Sequence, residues 1–276
     1  MKAQRGAALS PLLLAVLSVA VSCAAARAET SQQKGKRIVD EAVAALGGDA
    51  FRNMQNRVES GRIYGFYNEK ISGMAVDTLY TNYLAHPDPS VPGSLAVRVR
   101  DARGLKQDDV ILFYDGTGFE ITFHGARPLA DLVLNQYKTA TLHNIFYILR
   151  ERLGEPGMIF EAQESDFFDN KPVNVVDITD AHNDTVTVFF DQLSKLPVRQ
   201  IYSRRDPIDH SKLEEVSIYD KYRDVGGGVM WPFNIRRERN GEKVFEMYSE
   251  SVEINKDLKD SMFRLPPNLK ILKKEQ

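Results

Sequence analysis

Val58-Glu59-Ser60-Gly61-Arg62-Ile63-Tyr64-Gly65-Phe66 and Met74-Ala75-Val76-Asp77-Thr78-Leu79-Tyr80-Thr81-Asn82-Tyr83-Leu84 decide the fold. Successive side chains of a strand point to opposite faces. Val58, Ser60, Arg62, Tyr64 and Phe66 therefore share one face, and Met74, Val76, Thr78, Tyr80, Asn82 and Leu84 share one face of the next segment. With a turn at 68–73 between them, the two segments read as long antiparallel strands.

Upstream, Ile38, Val39, Ala42, Val43 and Leu46 make the stripe of an amphipathic helix that Gly47-Gly48 stops, and a short turn carries Phe51 and Met54. Downstream, 95–100, 110–114 and 119–123 continue the sheet, with Asp115-Gly116-Thr117-Gly118 as a tight hairpin. Between 129 and 153 the period returns to helical, ending at Gly154 and Pro156. The remainder reads as strands at 158–167, 172–179, 185–191, 197–205, 213–224, 229–239 and 243–254, parted by turns such as His182-Asn183-Asp184, Gly226-Gly227-Gly228 and Asn240-Gly241. The total is about ten to twelve antiparallel strands, a mainly β (α+β) sheet curled around a helical plug or lid. Residues 29–276 read as one domain.

The first 28 residues carry Lys2, Arg5 and Arg27, no acid, and an apolar run from Leu12 to Val21 too short to span a bilayer. They read as an export signal, with Ala26-Arg27-Ala28 placing the mature start at Glu29. Cys23 in Ala20-Val21-Ser22-Cys23 also resembles a lipobox, in which that Cys would be acylated and anchor the chain. Both readings put the domain outside the cytoplasm.

The 276 residues are 43% hydrophobic and 27% charged, with 36 Lys+Arg against 38 Asp+Glu, so disorder is excluded and no basic surface points to nucleic acid. One Cys forms no internal disulfide and no multi-thiolate metal site. The chain has no G-x-S-x-G elbow and no Gly-rich phosphate loop. Asp177, Asp180, His182 and Asp184 place hard ligands close together, but at a hairpin whose turn favours Asp and Asn for local backbone bonding. Asp206, Asp209, His210 and Glu214 read as a solvated loop. His86, His124 and His143 have no acidic or His partner at helical or strand spacing. Acid/base work needs a buried carboxyl with an apolar neighbour, whereas Asp108-Asp109, Glu214-Glu215 and Asp166/Asp169 lie beside loops or in exposed-looking runs. The reading is no enzyme, no metal and no cofactor.

What remains is apolar: Tyr64, Phe66, Met74, Val76, Tyr80, Phe113 and Trp231 on strands, Phe146 and Leu149 on the helix. A strongly curved sheet either packs these as a filled core or leaves a cavity that they line.

The stretches 189–202 (FFDQLSKLPVRQIY), 222–235 (YRDVGGGVMWPFNI) and 260–266 (DSMFRLP), with 45–54 (ALGGDAFRNM), resemble the bacterial LolA/LolB-like superfamily of outer-membrane lipoprotein-sorting carriers. The resemblance implies a half-open antiparallel β-barrel with a helical lid, periplasmic, binding acyl chains of lipid or lipoprotein without catalysis. The nine residues above are then its lipid-binding wall, and inner- or outer-membrane envelope proteins its further partners. Carriers of this group close the lid with a buried Arg bonded to backbone carbonyls. Among Arg57, Arg62 and Arg98, Arg62 is the lid-closing candidate, because it shares a face with Val58, Tyr64 and Phe66. The alternative is an envelope sensor or partner-binding module of the same fold, anchored at Cys23.

Overall fold

The computed structural model describes residues 29–87, 90–91, 93–206 and 208–274; the expected leader and cleavage site, and Cys23, lie outside the described residues. Helix α1 (Ser31–Ala45) opens on a capping box: Thr30 accepts the Gln33 N–H, and the Gln33 side chain accepts the Thr30 N–H. It ends at Gly47 and Gly48, both at positive φ, and α2 (Asp49–Asn53) follows.

Strands β1 (Asn56–Tyr67), β2 (Lys70–Tyr83), β3 (Val97–Arg103), β4 (Asp109–Tyr114), β5 (Thr117–Thr122) and β6 (Gly125–Pro128) form one antiparallel meander. After α3 (Asp131–Leu142), α4 (Ile145–Tyr147) and a π-helical turn (Ile148–Arg152) comes a second series: β7 (Ile159–Ala162), β8 (Asp166–Phe168), β9 (Lys171–Thr179), β10 (Thr185–Asp191), β11 (Pro197–Arg205), β12 (Lys212–Asp224), β13 (Met230–Arg239) and β14 (Glu242–Ile254). β1 pairs with both β2 and β14, which fuses the two series into one sheet of fourteen strands among the described residues. The sheet is open, with β6 and β7 at opposite ends of the strand order and β8 paired only to β9. The mainly β, half-open architecture agrees with the sequence reading. The strand count rises because 158–167 divides into β7 and β8 and because β6 is additional.

Where β1 meets β14 the register shifts between Ser60 and Gly61. A Cβ on Gly61 would lie 2.1 Å from the Tyr248 carbonyl oxygen, so only glycine permits this approach. Against β7, Gly35 of α1 comes so close that a Cβ would meet the Phe160 carbonyl oxygen at 2.5 Å.

Helices α1 to α4 and the π-helical turn cover one face of the sheet, termed inner here. In β1 the inner positions are Arg57, Glu59, Gly61 and Ile63, paired across β2 with Thr81, Leu79, Asp77 and Ala75. The main core joins Ile38, Val39, Ala42, Phe51, Met54, Phe146, Ile148 and Leu149 of the helical segments to Val176, Ile178, Val188, Phe190, Tyr219 and Trp231 of the sheet. The outer face carries smaller clusters, one of which (Ala102, Val110 and Leu112, with Tyr80) is met by Leu265 of the C-terminal segment.

Candidate functional site

The structure divides the nine expected wall residues between the two faces. Phe113, Phe146, Leu149 and Trp231 are inner; Tyr64, Met74, Val76 and Tyr80 occupy outer positions, as the pairings Tyr64↔Met74, Arg62↔Val76 and Val58↔Tyr80 require. Phe66 lies past a register shift at the outer end of the hairpin, under the Lys243 ammonium at 4.0 Å. Met74 is 69% exposed, and Tyr64 meets Tyr248 edge-on at 6.0 Å. These residues share no cavity with Trp231, because a one-residue difference in parity sends a side chain to the other side of a sheet.

The inner aromatic group is packed solid. Phe146 contacts Tyr219 at 4.9 Å and Trp231 at 4.6 Å between ring centroids, and Leu149 is fully buried. The Arg57 guanidinium stacks on the Trp231 ring at 3.8 Å and pairs with Glu59 at 3.3 Å, while the indole N–H donates to Glu59 at 3.3 Å. Both ions are buried, and their mutual pairing offsets the desolvation they suffer.

The helix expected over 129–153 is broken at His143 and Asn144. Asn144 stands in extended conformation and caps the next turn, its side chain accepting from the Phe146 and Tyr147 N–H groups. Buried Gln200 on β11 holds the break from the sheet side. Its amide oxygen accepts the Ile145 N–H at 2.8 Å and the Tyr219 hydroxyl at 2.8 Å, and its NH2 donates to the His143 carbonyl at 3.1 Å. These are helix-end groups that would otherwise be buried without partners. The hydrophobic period runs through the break, so only the contact with β11 reveals it.

Beyond the break, Arg150 donates to the carbonyls of Phe51 at 2.6 Å and Met54 at 2.7 Å and lies 4.1 Å over the Tyr83 ring. Arg150 is thus a buried arginine bonded to backbone carbonyls, and it stands on the π-helical turn rather than on a strand. Arg62 instead points outward with its side chain 60% exposed, paired to Glu250 at 3.1 Å. The sequence reading looked for this residue on β1, where parity put Arg62 beside Tyr64; the outer position of both removes it from the lid. Arg98 is held by Asp115 and Asp260.

Ahead of the break the covering is different. Tyr137 of α3 stacks on Phe113 with ring centroids 3.5 Å apart, yet no residue of α3 is fully buried. Between its Val133–Tyr137–Ala140 side and the inner face of β11, β12 and β13 lies a cavity of about 350 Å3. Tyr202, Gln200 and Ser217 line its floor, and Arg204, Glu215, Arg237 and Arg239 surround it. Arg204 pairs with Glu215 at 3.1 Å.

Other ionisable groups on the inner face serve the fold. Burial first, and the neighbouring Asp101 carboxylate second, push the Asp77 carboxyl up to about 8. In the acidic hairpin, Asp180 caps the turn, one oxygen accepting the N–H groups of His182 and Asp184 and the other accepting Arg152 at 3.0 Å. Asp177 bonds Gln163 and Thr187 instead. Among the described residues, the donor atoms brought within 4.8 Å of one another are those of Asp180, Asp184 and His143, the last contributed by the lid. Burial depresses the His143 pKa below its ordinary value. Sequence spacing could not show this meeting, because His143 reaches the hairpin across the fold. Asp206 likewise caps its own turn, accepting the Ile208 N–H at 2.8 Å.

No protein-family model matches the chain, and no curated protein matches it by sequence. Solved structures do. An outer membrane lipoprotein-sorting protein domain from Vibrio parahaemolyticus aligns with TM-score 0.56 and 10% identity, over 84% of this chain and 97% of that one. A DUF1329 family protein from Desulfovibrio piger gives TM-score 0.56 and 11% identity over 83% and 97%. A LolA superfamily protein from Nitrosomonas europaea gives TM-score 0.51 and 13% identity over 83% and 97%. Among the described residues no helix is long and apolar enough to cross a membrane.

Proposed function

We propose that this chain, which has the LolA-like fold, is a non-enzymatic periplasmic carrier for the acyl chains of lipid or lipoprotein, formed by one domain (29–276) behind a 28-residue export signal. One observation carries the reading: the Val133, Tyr137 and Ala140 side of α3 faces a cavity of about 350 Å3 that no protein side chain fills. That volume lies within the roughly 300–1,000 Å3 range of small-molecule pockets. Each buried methylene contributes about 0.8 kcal/mol, so a tail needs no polar anchor, and the surround of the cavity sets three arginines, Arg204, Arg237 and Arg239, against two glutamates, Glu215 and Glu238. Phe113 stacks on Tyr137 and so braces α3 beside this ligand space without lining it. Phe146, Leu149 and Trp231 form its packed foundation, and Arg150 rather than Arg62 is the buried arginine bonded to carbonyls, tying the π-helical turn to the end of α2.

Titration with a fluorescent fatty acid tests this. Saturable binding, displaced by unlabelled fatty acid and weakened at least about tenfold in Ala140→Trp, is expected, since the indole occupies the cavity. Absence of saturable binding, or an Ala140→Trp variant that binds as the wild type does, would overturn it.

A second reading rests on the outer face, where Tyr64, Met74, Val76 and Tyr248 form an apolar patch. In that reading the chain is an envelope sensor or partner-binding module, tethered through an acylated Cys23. Mass determination of the mature N-terminus separates the two: Glu29 suits a shuttle, acylated Cys23 a tethered module.

A further inference from the structure

The end of α3 meets the β9–β10 hairpin at the edge of the cavity, which His143 also lines, in a cluster of polar ligands that acyl-chain binding does not require. His143 Nδ1 lies 2.7 Å from the Thr139 carbonyl oxygen, an arrangement that a protonated Nδ1 satisfies. The neutral ring then presents its lone pair at Nε2. That atom is buried, has no hydrogen-bond partner among the described residues, and stands 3.7 Å from Asp184 Oδ2, itself an acceptor. The side chain of His143 is 7% exposed, and the ring stacks on Tyr202 at 4.0 Å with an interplanar angle of 9°, which fixes its direction. Asp180 is equally fixed by its two backbone donors and by Arg152. Arg152 also pairs with Glu155 at 2.9 Å, so its charge is shared between Asp180 and Glu155, while the ion-pair contact of Asp184 is with His143.

We propose that His143 Nε2, Asp180 and Asp184 bind one divalent transition-metal ion of the zinc class, clipping the end of α3 to the β9–β10 hairpin. A set of one imidazole and two carboxylates suits zinc and its neighbours better than calcium or magnesium, which take oxygen-only shells. The Nδ1–H bond to the Thr139 carbonyl is the outer contact that orients ligating histidines. Zinc bonds of about 2.0–2.2 Å place two ligand atoms roughly 3.4 Å apart in a tetrahedral site, so Asp184 has only a small swing to make from 3.7 Å. Its side chain is 48% exposed and free to make that swing, and the same opening admits the ion and a water as fourth ligand.

The test is equilibrium dialysis of the chelator-stripped full chain against Zn2+, with bound metal counted by mass spectrometry. One ion per chain is expected, with uptake lost in His143→Gln and weakened at least about tenfold in Asp184→Asn. Thermal unfolding keeps the second variant informative: Zn2+ should raise the Tm of the wild type and not that of Asp184→Asn, whose metal-free Tm should match the wild type. Uptake well below one equivalent, or uptake unchanged in Asp184→Asn, overturns the assignment. The site does not rest on the carrier reading, because zinc uptake and fatty-acid binding are measured separately.

Discussion

The two ends of the inner face are covered by helices in opposite ways. Around Trp231, the buried side chains of α1, α2, α4 and the π-helical turn pack against β9–β13 in one core, and a buried ion pair lies against the indole. Under α3, a helix with no fully buried residue spans an open space and touches the sheet mainly through the Phe113–Tyr137 stack. The join between the two is the break at His143 and Asn144, gripped by Gln200. The difference teaches that one half of the covering is core and the other is lid, and that a single uninterrupted helix would have merged them.

The largest effect that could break this comparison is expected at Trp231. Trp231→Ala should cost about 3–5 kcal/mol in urea unfolding, since it opens a void and strips Arg57 and Glu59 of their cover. Val133→Ala on α3 should cost less than about 0.5 kcal/mol. Similar losses at both positions would mean that the two halves are packed alike.

Arg150→Met comes next, at about 2–4 kcal/mol, because the carbonyls of Phe51 and Met54 lose charged donors. Hydrogen exchange should quicken in α2 and the π-helical turn before it does in β12 and β13. Arg62→Met, lacking such bonds, should leave both measurements unchanged.

Asp77 sharpens the comparison through pH. Its carboxyl ionises near 3.8 when unfolded but holds its proton to about 8 in the fold, so the native state binds the extra proton between these values. This contribution to stability is full below about 4 and declines as pH rises toward 8. Urea midpoints should record that decline in the wild type and a flatter profile in Asp77→Asn. A wild-type profile as flat as the variant's would contradict the burial of a protonated acid there.

Much of this architecture is legible in the residues themselves, and the places where legibility fails share a physical cause. The alternation at Val58–Phe66 and Met74–Leu84, the stripe of α1 and the stop at Gly47-Gly48 depend on local geometry, and each forms as expected. The choice of inner face does not follow from alternation. Both sides of β1 carry bulky groups, and the side that is buried holds Arg57 and Glu59 while Tyr64 and Met74 face outward. The usual rule of apolar side inward is reversed there because Trp231, over 170 positions away in sequence, supplies the partner for both ions. Arg150, Gln200 and His143 escaped for the same reason, since each acts on a segment distant in the chain.

The smallest effect is expected on the outer face: Met74→Ser should change stability by no more than about 0.5 kcal/mol and leave fatty-acid affinity as in the wild type. A loss of fatty-acid affinity in this variant would move the ligand to the opposite side of the sheet.

The most direct measurement is native mass spectrometry of the full chain recovered from membranes, compared with its denatured mass. The carrier account predicts an extra mass matching an acyl-bearing lipid, present in the wild type and absent from Ala140→Trp. Identical native and denatured masses across repeated preparations would contradict it.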